Sequence, residues 1–183
     1  MSNMDEAVER VLVSEKEIRA MVERLGRQIS KDYEGKPLVV LGVLKGGFVF
    51  MADLIRSITI PLELDFIAVS SYGASTKSSG VVQLIKDADV VLTGKHVLIV
   101  EDIIDSGLTL SYLKNMLEAR EPLSVKICTA FDKPDRRKVT LTADYSGITI
   151  PDEYVVGYGL DYNSQMRNIP SLCVLKRDVY EAE

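Results

Sequence analysis

Cysteine is nearly absent from this chain. Cys128 and Cys173 are the only two, and each stands alone in an apolar stretch. A disulfide framework or a cysteine metal site is therefore not expected. Both read as buried thiols, and a reducing cytoplasm is the natural setting. Positive charge is also short: 22 Lys and Arg against 27 Asp and Glu leave a net charge of -5. A broad basic face for nucleic acid is not expected on that count, so an anionic substrate has to be held by local groups and metal. No apolar run approaches the length that spans a bilayer, and no membrane partner is expected. The first residues, MSNMDEAVERVL, carry acids and lack the basic-then-apolar order of a secretion signal. Neither a Walker A nor a GxGxxG pattern occurs, which argues against a P-loop or dinucleotide site. Internal repeats and low-complexity segments are missing too.

What is present fits one soluble globular domain of 183 residues, 46% hydrophobic and 27% charged. Its organising stretch is HVLIVEDIIDSGLTL, His96 to Leu110. Val97 to Val100 form an apolar, β-branched run, the mark of a strand buried on both faces. Glu101 and Asp102 stand where that strand is expected to end. A loop of small and hydroxyl residues follows: Asp105, Ser106, Gly107, Leu108 and Thr109. Leu110, Leu113, Met116 and Leu117 then recur at helical spacing until Arg120, Glu121 and Pro122 stop the helix.

Each group in that stretch has a chemical use. The first turn of a helix has unpaired N–H groups and partial positive charge, so an anion sits there without a lysine. Gly107 lets the backbone approach, and the hydroxyls of Ser106 and Thr109 add donors to phosphate oxygens. Glu101 and Asp102 suit ribose hydroxyls or a Mg²⁺ shared with a phosphorylated substrate. Asp105, between the two regions, is the candidate base. Together these features describe a pocket for a phosphorylated sugar.

Elsewhere the patterning predicts supporting structure. Ser14 and Glu17 have capping-box spacing, and Ile18, Met21, Val22, Leu25 and Ile29 fall on one helical face. Leu38 to Leu44 reads as the first buried strand. Lys45, Gly46 and Gly47 follow it, before a helix in which Phe48, Met51, Ala52, Ile55 and Ile58 are expected to face the core. Leu62 to Ser70 and Val81 to Ile85 read as antiparallel strands around the polar stretch ASTKSSG. His96, the only histidine, opens its strand at the end away from the acids, so a catalytic role is not expected. Ser124 to Phe131 is another strand, and it places Lys133 on the carboxyl side of the sheet, where open α/β folds bind ligands. Tyr154 to Tyr162 is strand-like until its glycines. Ser171 to Leu175 supplies a last strand before a charged tail.

VLIVEDIIDSGLT closely resembles the phosphoribosyl-diphosphate signature of the purine phosphoribosyltransferases, in their hypoxanthine–guanine branch. The resemblance implies an α/β type I phosphoribosyltransferase fold: a mainly parallel twisted sheet flanked by helices, with a small hood from both chain ends. It also implies a flexible lid over about residues 70–86, with Ser71 and Tyr72 at its tip. Such a lid keeps water from the ribosyl cation. LKGG resembles the pyrophosphate loop, assigning Lys45 and Gly46 to the leaving group and making Leu44–Lys45 a candidate cis peptide. Lys133, in FDKPDRRKV, is implied as donor to O6 of a 6-oxopurine, with Arg137 or its neighbours supporting that loop. Tyr154 is implied to stack on the base and Val155 to offer it main-chain groups. Asp161 is implied to bind a second Mg²⁺, and Arg167 to contact pyrophosphate. The metal set implied is Glu101, Asp102 and Asp161. Two departures stand out: some members carry lysine where this chain has Leu108, and Ser106 is often threonine. The implied partners are phosphoribosyl diphosphate, a 6-oxopurine and further copies of the chain in a homodimer or homotetramer. Another base such as xanthine, or a non-catalytic sensor of phosphoribosyl diphosphate, stays open as an alternative.

Overall fold

The computed structural model describes residues 6–71 and 82–181. In chain order the elements are β1 (Val8–Val13), α1 (Glu15–Asp32), β2 (Leu38–Leu44), α2 (Phe48–Ser57), β3 (Glu63–Ser71) and β4 (Val82–Lys86). They continue with β5 (His96–Ile104), α3 (Leu108–Glu118), β6 (Ser124–Asp132), β7 (Tyr145–Thr149), β8 (Val155–Val156), β9 (Leu172–Leu175) and α4 (Arg177–Tyr180). The main sheet has the order β4-β3-β2-β5-β6-β7. Its neighbours run parallel except β4, which is antiparallel to β3. The chain therefore has the mainly parallel α/β architecture its sequence predicts. A second sheet, β1-β9-β8, joins both ends of the chain in antiparallel pairs.

The main sheet is covered on both faces, and the alternation of its central strands shows how. Val40, Leu98 and Val100 pack with α1 and α2 side chains such as Leu25 and Phe50. Val39, Leu41, Val97 and Ile99 face the other way, onto Leu110, Leu113 and Leu117 of α3. This is why β2 and β5 read as unbroken apolar runs. In α1, Glu17 N donates to Ser14 Oγ and Ser14 N to the Glu17 carboxylate, closing the expected capping box. Ile18, Met21, Val22, Leu25 and Ile29 are all buried. At about 1.5–3 kcal/mol per buried aliphatic side chain, that face outweighs the cap, worth about 1 kcal/mol, in docking the helix.

Three expectations need correction. The strand does not end at Glu101 and Asp102 but runs on to Ile104, because β6 continues beside it, pairing Ile103 with Phe131 and Ile104 with Asp132. In α2 the buried residues are Phe50, Met51 and Leu54, while Phe48 and Ala52 are exposed. That helix is apolar most of the way round, so periodicity alone offers two stripes and packing on the sheet selects one. The C-terminal tail is also not merely charged, since α4 returns Tyr180 to stack on Tyr154.

β3 and β4 form the expected antiparallel pair. Ser71 closes β3; Tyr72 and the stretch through Val81 lie outside the described residues. Both cysteines are free and buried. Among the described residues no helix is long and apolar enough to cross a membrane.

Candidate active site

The carboxyl ends of β5 and β6 share a cavity of about 590 Å³ with residues from β1, β8 and β9. Asp102, Asp105, Lys133, Tyr154, Val155 and Asp161 all border it. The carboxyl ends of β5 and β6 supply Asp102, Asp105 and Lys133, and the second, antiparallel sheet supplies Tyr154, Val155 and, in the turn after β8, Asp161. Glu101, Lys45, Gly46, Arg167 and the loop Ser106–Thr109 do not border the cavity. They flank it through the chain or through contacts described below. A larger cavity, about 770 Å³, lies between α1, α2 and the 158–170 loop. Of the predicted site residues it contains only Arg167.

The backbone around the acids is tightly fitted. Leu44–Lys45 is a cis peptide, as the resemblance implies. A Cβ added to Gly46 would fall 1.8 Å from Asp102 Oδ2, so any larger residue there displaces that carboxylate. On the other side, a Cβ on Gly159 would fall 2.2 Å from the Gly46 carbonyl oxygen. The 157–160 turn thus braces the loop from behind. Arg167 completes the brace, donating to the Gly159 carbonyl at 2.7 Å and pairing with Asp161 at 2.7 Å.

Glu101 and Asp102 are adjacent carboxyls with no ion-pair partner among the described residues. Asp102 is buried, and Glu101, although partly exposed by surface area, keeps its carboxyl deep among protein atoms. Burial, and then the neighbouring Asp102 charge, hold Glu101 well above the usual glutamate range. Asp102 is raised by burial too, against the opposing pull of the Glu101 and Ile103 hydrogen bonds and of Arg167. Two like charges in a dry corner invite a cation. Among the described residues no group of three or more His, Cys, Asp or Glu side chains could hold a metal, and Asp161 is engaged by Arg167 and by the Ser164 N–H. A pair of hard carboxylates fits Mg²⁺, which is commonly held by one or two of them plus substrate oxygens.

Asp105 stands half-exposed at the cavity wall. Its Oδ1 accepts from Arg136 Nε at 2.7 Å, and Arg136 reaches Asp152 on its other side at 3.4 Å. The next residues form the hydroxyl loop. Gly107 adopts φ 80° and leads into α3 with no side chain capping the helix, which leaves first-turn N–H groups for an anion. Leu108 N donates to Ser106 Oγ at a long 3.4 Å.

Lys133 is buried, and its Nζ donates to the Glu153 carbonyl at 2.6 Å. Burial pulls its pKa down, while Asp105 and Asp152 push it up. The Glu153 carboxylate in turn takes Arg10 of β1. Tyr154 is 41% exposed, its ring stacked on Tyr180 at 4.8 Å and edge-on to Tyr162 at 5.9 Å. Sequence reasoning missed Arg10, Arg136, Asp152 and Tyr180. Arg136 lay within a segment already expected to support Lys133; Arg10 and Tyr180 arrive from the two chain ends and carry no local signal.

The sequence profile of the phosphoribosyl transferase domain matches residues 12–163. The hypoxanthine-guanine phosphoribosyltransferase of Lactococcus lactis is 54% identical over 178 residues, covering 97% of both chains. That of Bacillus subtilis is 51% identical over 179 residues, covering 98% of this chain and 99% of the relative. A crystal structure of a hypoxanthine phosphoribosyltransferase from Staphylococcus aureus superposes with a TM-score of 0.94 at 47% identity, covering 98% of this chain and 97% of that one.

Proposed function

Since the chain belongs to the phosphoribosyl transferase family, we propose the following reading of its site. The protein is a purine-salvage enzyme that transfers the 5-phosphoribosyl group of phosphoribosyl diphosphate to hypoxanthine and guanine, releasing pyrophosphate. Full-length relatives of that activity at about half identity support this. The observation that carries it is the convergence of Asp102, Asp105 and Lys133 on one cavity beside an uncapped helix start.

The roles follow from position. The 5′-phosphate sits at Ser106 to Thr109, on first-turn amides and two hydroxyls. Leu108 contributes its backbone there, not a charge. Asp102 and Glu101 grip the ribose hydroxyls and favour positive charge developing at C1′. Glu101 and Asp102 would hold Mg²⁺ and Asp161 a second ion, and such metal would supply positive charge to neutralise the pyrophosphate leaving group. Lys45, the Gly46 amide and Arg167 engage that same group. Lys133 donates to O6 of the purine while keeping the Glu153 carbonyl, Tyr154 stacks on the ring, and Val155 offers main-chain groups. Asp105 accepts the N7 proton as N9 attacks the sugar, which requires the purine to displace or share Arg136. The second sheet acts as the hood.

The reading extends to a dimer or tetramer in the cytoplasm. Two free buried thiols suit that compartment, and light scattering reads the assembly. The decisive assay is pyrophosphate release with hypoxanthine, guanine, xanthine and adenine in parallel. Turnover with the first two, and none with adenine, is expected. A preference for xanthine or adenine overturns the base assignment, and no release with any base overturns the enzyme.

A further inference from the structure

The segment after β6 does more than present Lys133. Its backbone and one arginine hold three successive carbonyls of the loop that follows β5. Lys133 N donates to the Ile104 carbonyl at 3.0 Å, Arg137 Nη1 to the Asp105 carbonyl at 2.7 Å, and Lys138 N to the Ser106 carbonyl at 2.9 Å. A trans peptide is planar with its N–H opposite its C=O. Turning the Asp105 and Ser106 oxygens toward the 133–138 segment therefore turns the N–H groups of Ser106 and Gly107 away from it. Neither N–H donates to an acceptor among the described residues. Successive amides aimed the same way, ending at a residue with φ 80°, form the concave nest that binds anions.

Arg137 is the one side chain among the three clamps, and it is firmly seated. Its second guanidinium nitrogen pairs with Asp132, the last residue of β6, and both side chains are largely buried. Asp132 is the register partner of Ile104. Its stem also lies over the loop, since a Cβ on Gly107 would meet Arg137 Cδ at 3.1 Å. The guanidinium thus spans from the end of β6 to the Asp105–Ser106 peptide, a two-point geometry that the single ammonium of lysine does not reproduce.

We infer that Arg137 is a positioning residue for the substrate's phosphate: by holding the Asp105 carbonyl it aims the Ser106 and Gly107 amides into the anion site. It touches neither phosphate nor base. The inference rests on the proposed reading, which puts the 5′-phosphate at this loop, and it adds that phosphate affinity is set from the base-recognition segment.

The test compares inosine 5′-monophosphate with inosine by calorimetry, in the wild type, Arg137→Met and Arg137→Lys, alongside KM for both substrates. Wild type is expected to bind the monophosphate far more tightly than the nucleoside. In Arg137→Met that ratio falls about 10-fold or more, the scale of one charge-assisted hydrogen bond, while inosine affinity changes less than about threefold. KM for phosphoribosyl diphosphate rises in step, by a larger factor than KM for hypoxanthine. Arg137→Lys falls between the two, and it carries the test alone if the methionine variant loses its cooperative thermal transition. An unchanged ratio, or equal loss for nucleoside and nucleotide, overturns the inference. A wild type that does not distinguish the two ligands overturns the placement of the phosphate as well.

Discussion

At the amino end of the main sheet His96 and Ser124, register partners on β5 and β6, meet each other through Nδ1 and Oγ at 2.8 Å. Tyr145 donates to Asp32 at 2.9 Å, and Lys126 lies over the rings of Tyr33 and Tyr145. At the carboxyl end of the same strands Glu101 and Asp102 sit side by side with no ion-pair partner among the described residues, where Ser106 and Gly107 also leave their N–H groups undonated. The amino end spends its polar groups on one another, and among the described residues only the buried Tyr33 hydroxyl lacks a partner. The carboxyl end holds them for something else. Polarity and burial alone do not mark a site; uncompensated charge and aimed, unused donors do.

The comparison breaks most readily at Asp105. Asp105→Asn is expected to lower kcat by about 100-fold or more with an unchanged melting temperature, since its carboxylate is half-exposed and tied only to Arg136. Unchanged turnover in the pyrophosphate-release assay removes Asp105 as the base. Next comes Gly46→Ala, whose methyl group meets the Asp102 carboxylate. A loss of about 10-fold or more in kcat/KM for phosphoribosyl diphosphate is expected, on the scale of a misplaced catalytic group; full activity shows that the loop has room the geometry denies. Lys133→Ala is expected to raise KM for hypoxanthine about 10-fold or more and to erode the choice against adenine, which a substrate panel reads directly.

Two smaller predictions sharpen the other side. Tyr145→Phe removes a buried hydroxyl bond to Asp32 and is expected to cost about 1–2 kcal/mol of stability in a urea titration, with kinetic constants unaltered. Any specific loss of substrate affinity means that the two ends are coupled. Smallest is the response of His96 to pH. Burial, then Lys36 and Lys126, hold its pKa below the ordinary 6.5. The unfolded chain therefore takes up the proton first, so stability is full above about pH 6.5 and declines as pH falls through the window beneath it. His96→Gln is expected to flatten that slope in thermal melts across pH 5 to 7; an unaltered slope assigns it to other groups.

The limits of the sequence show in particular elements. Buried strands β2, β5 and β6, the capping box of α1 and the turn at Gly107 were all legible, because each is dictated by neighbours within a few residues. The core stripe of α2 was not. Phe48 and Phe50 are equally apolar, and only the sheet beneath distinguishes them. In the site, the acids, the hydroxyl loop and Lys133 announced themselves by residue type next to a strand end. Arg137 and its neighbours were expected to support the Lys133 loop, but the pairings themselves were not legible: Arg136 on Asp105, Arg137 on its carbonyl and Arg10 on Glu153 cross 31, 32 and 143 residues.

By itself, then, the order of residues determined the parallel α/β class, the place of the anion loop and the kinds of groups gathered around it, since periodicity and turn chemistry are short-range. Tertiary structure alone decided which charges go uncompensated and which way the loop amides point. Those depend on distances between segments far apart in the chain, and only the packing of strand against strand makes such distances small.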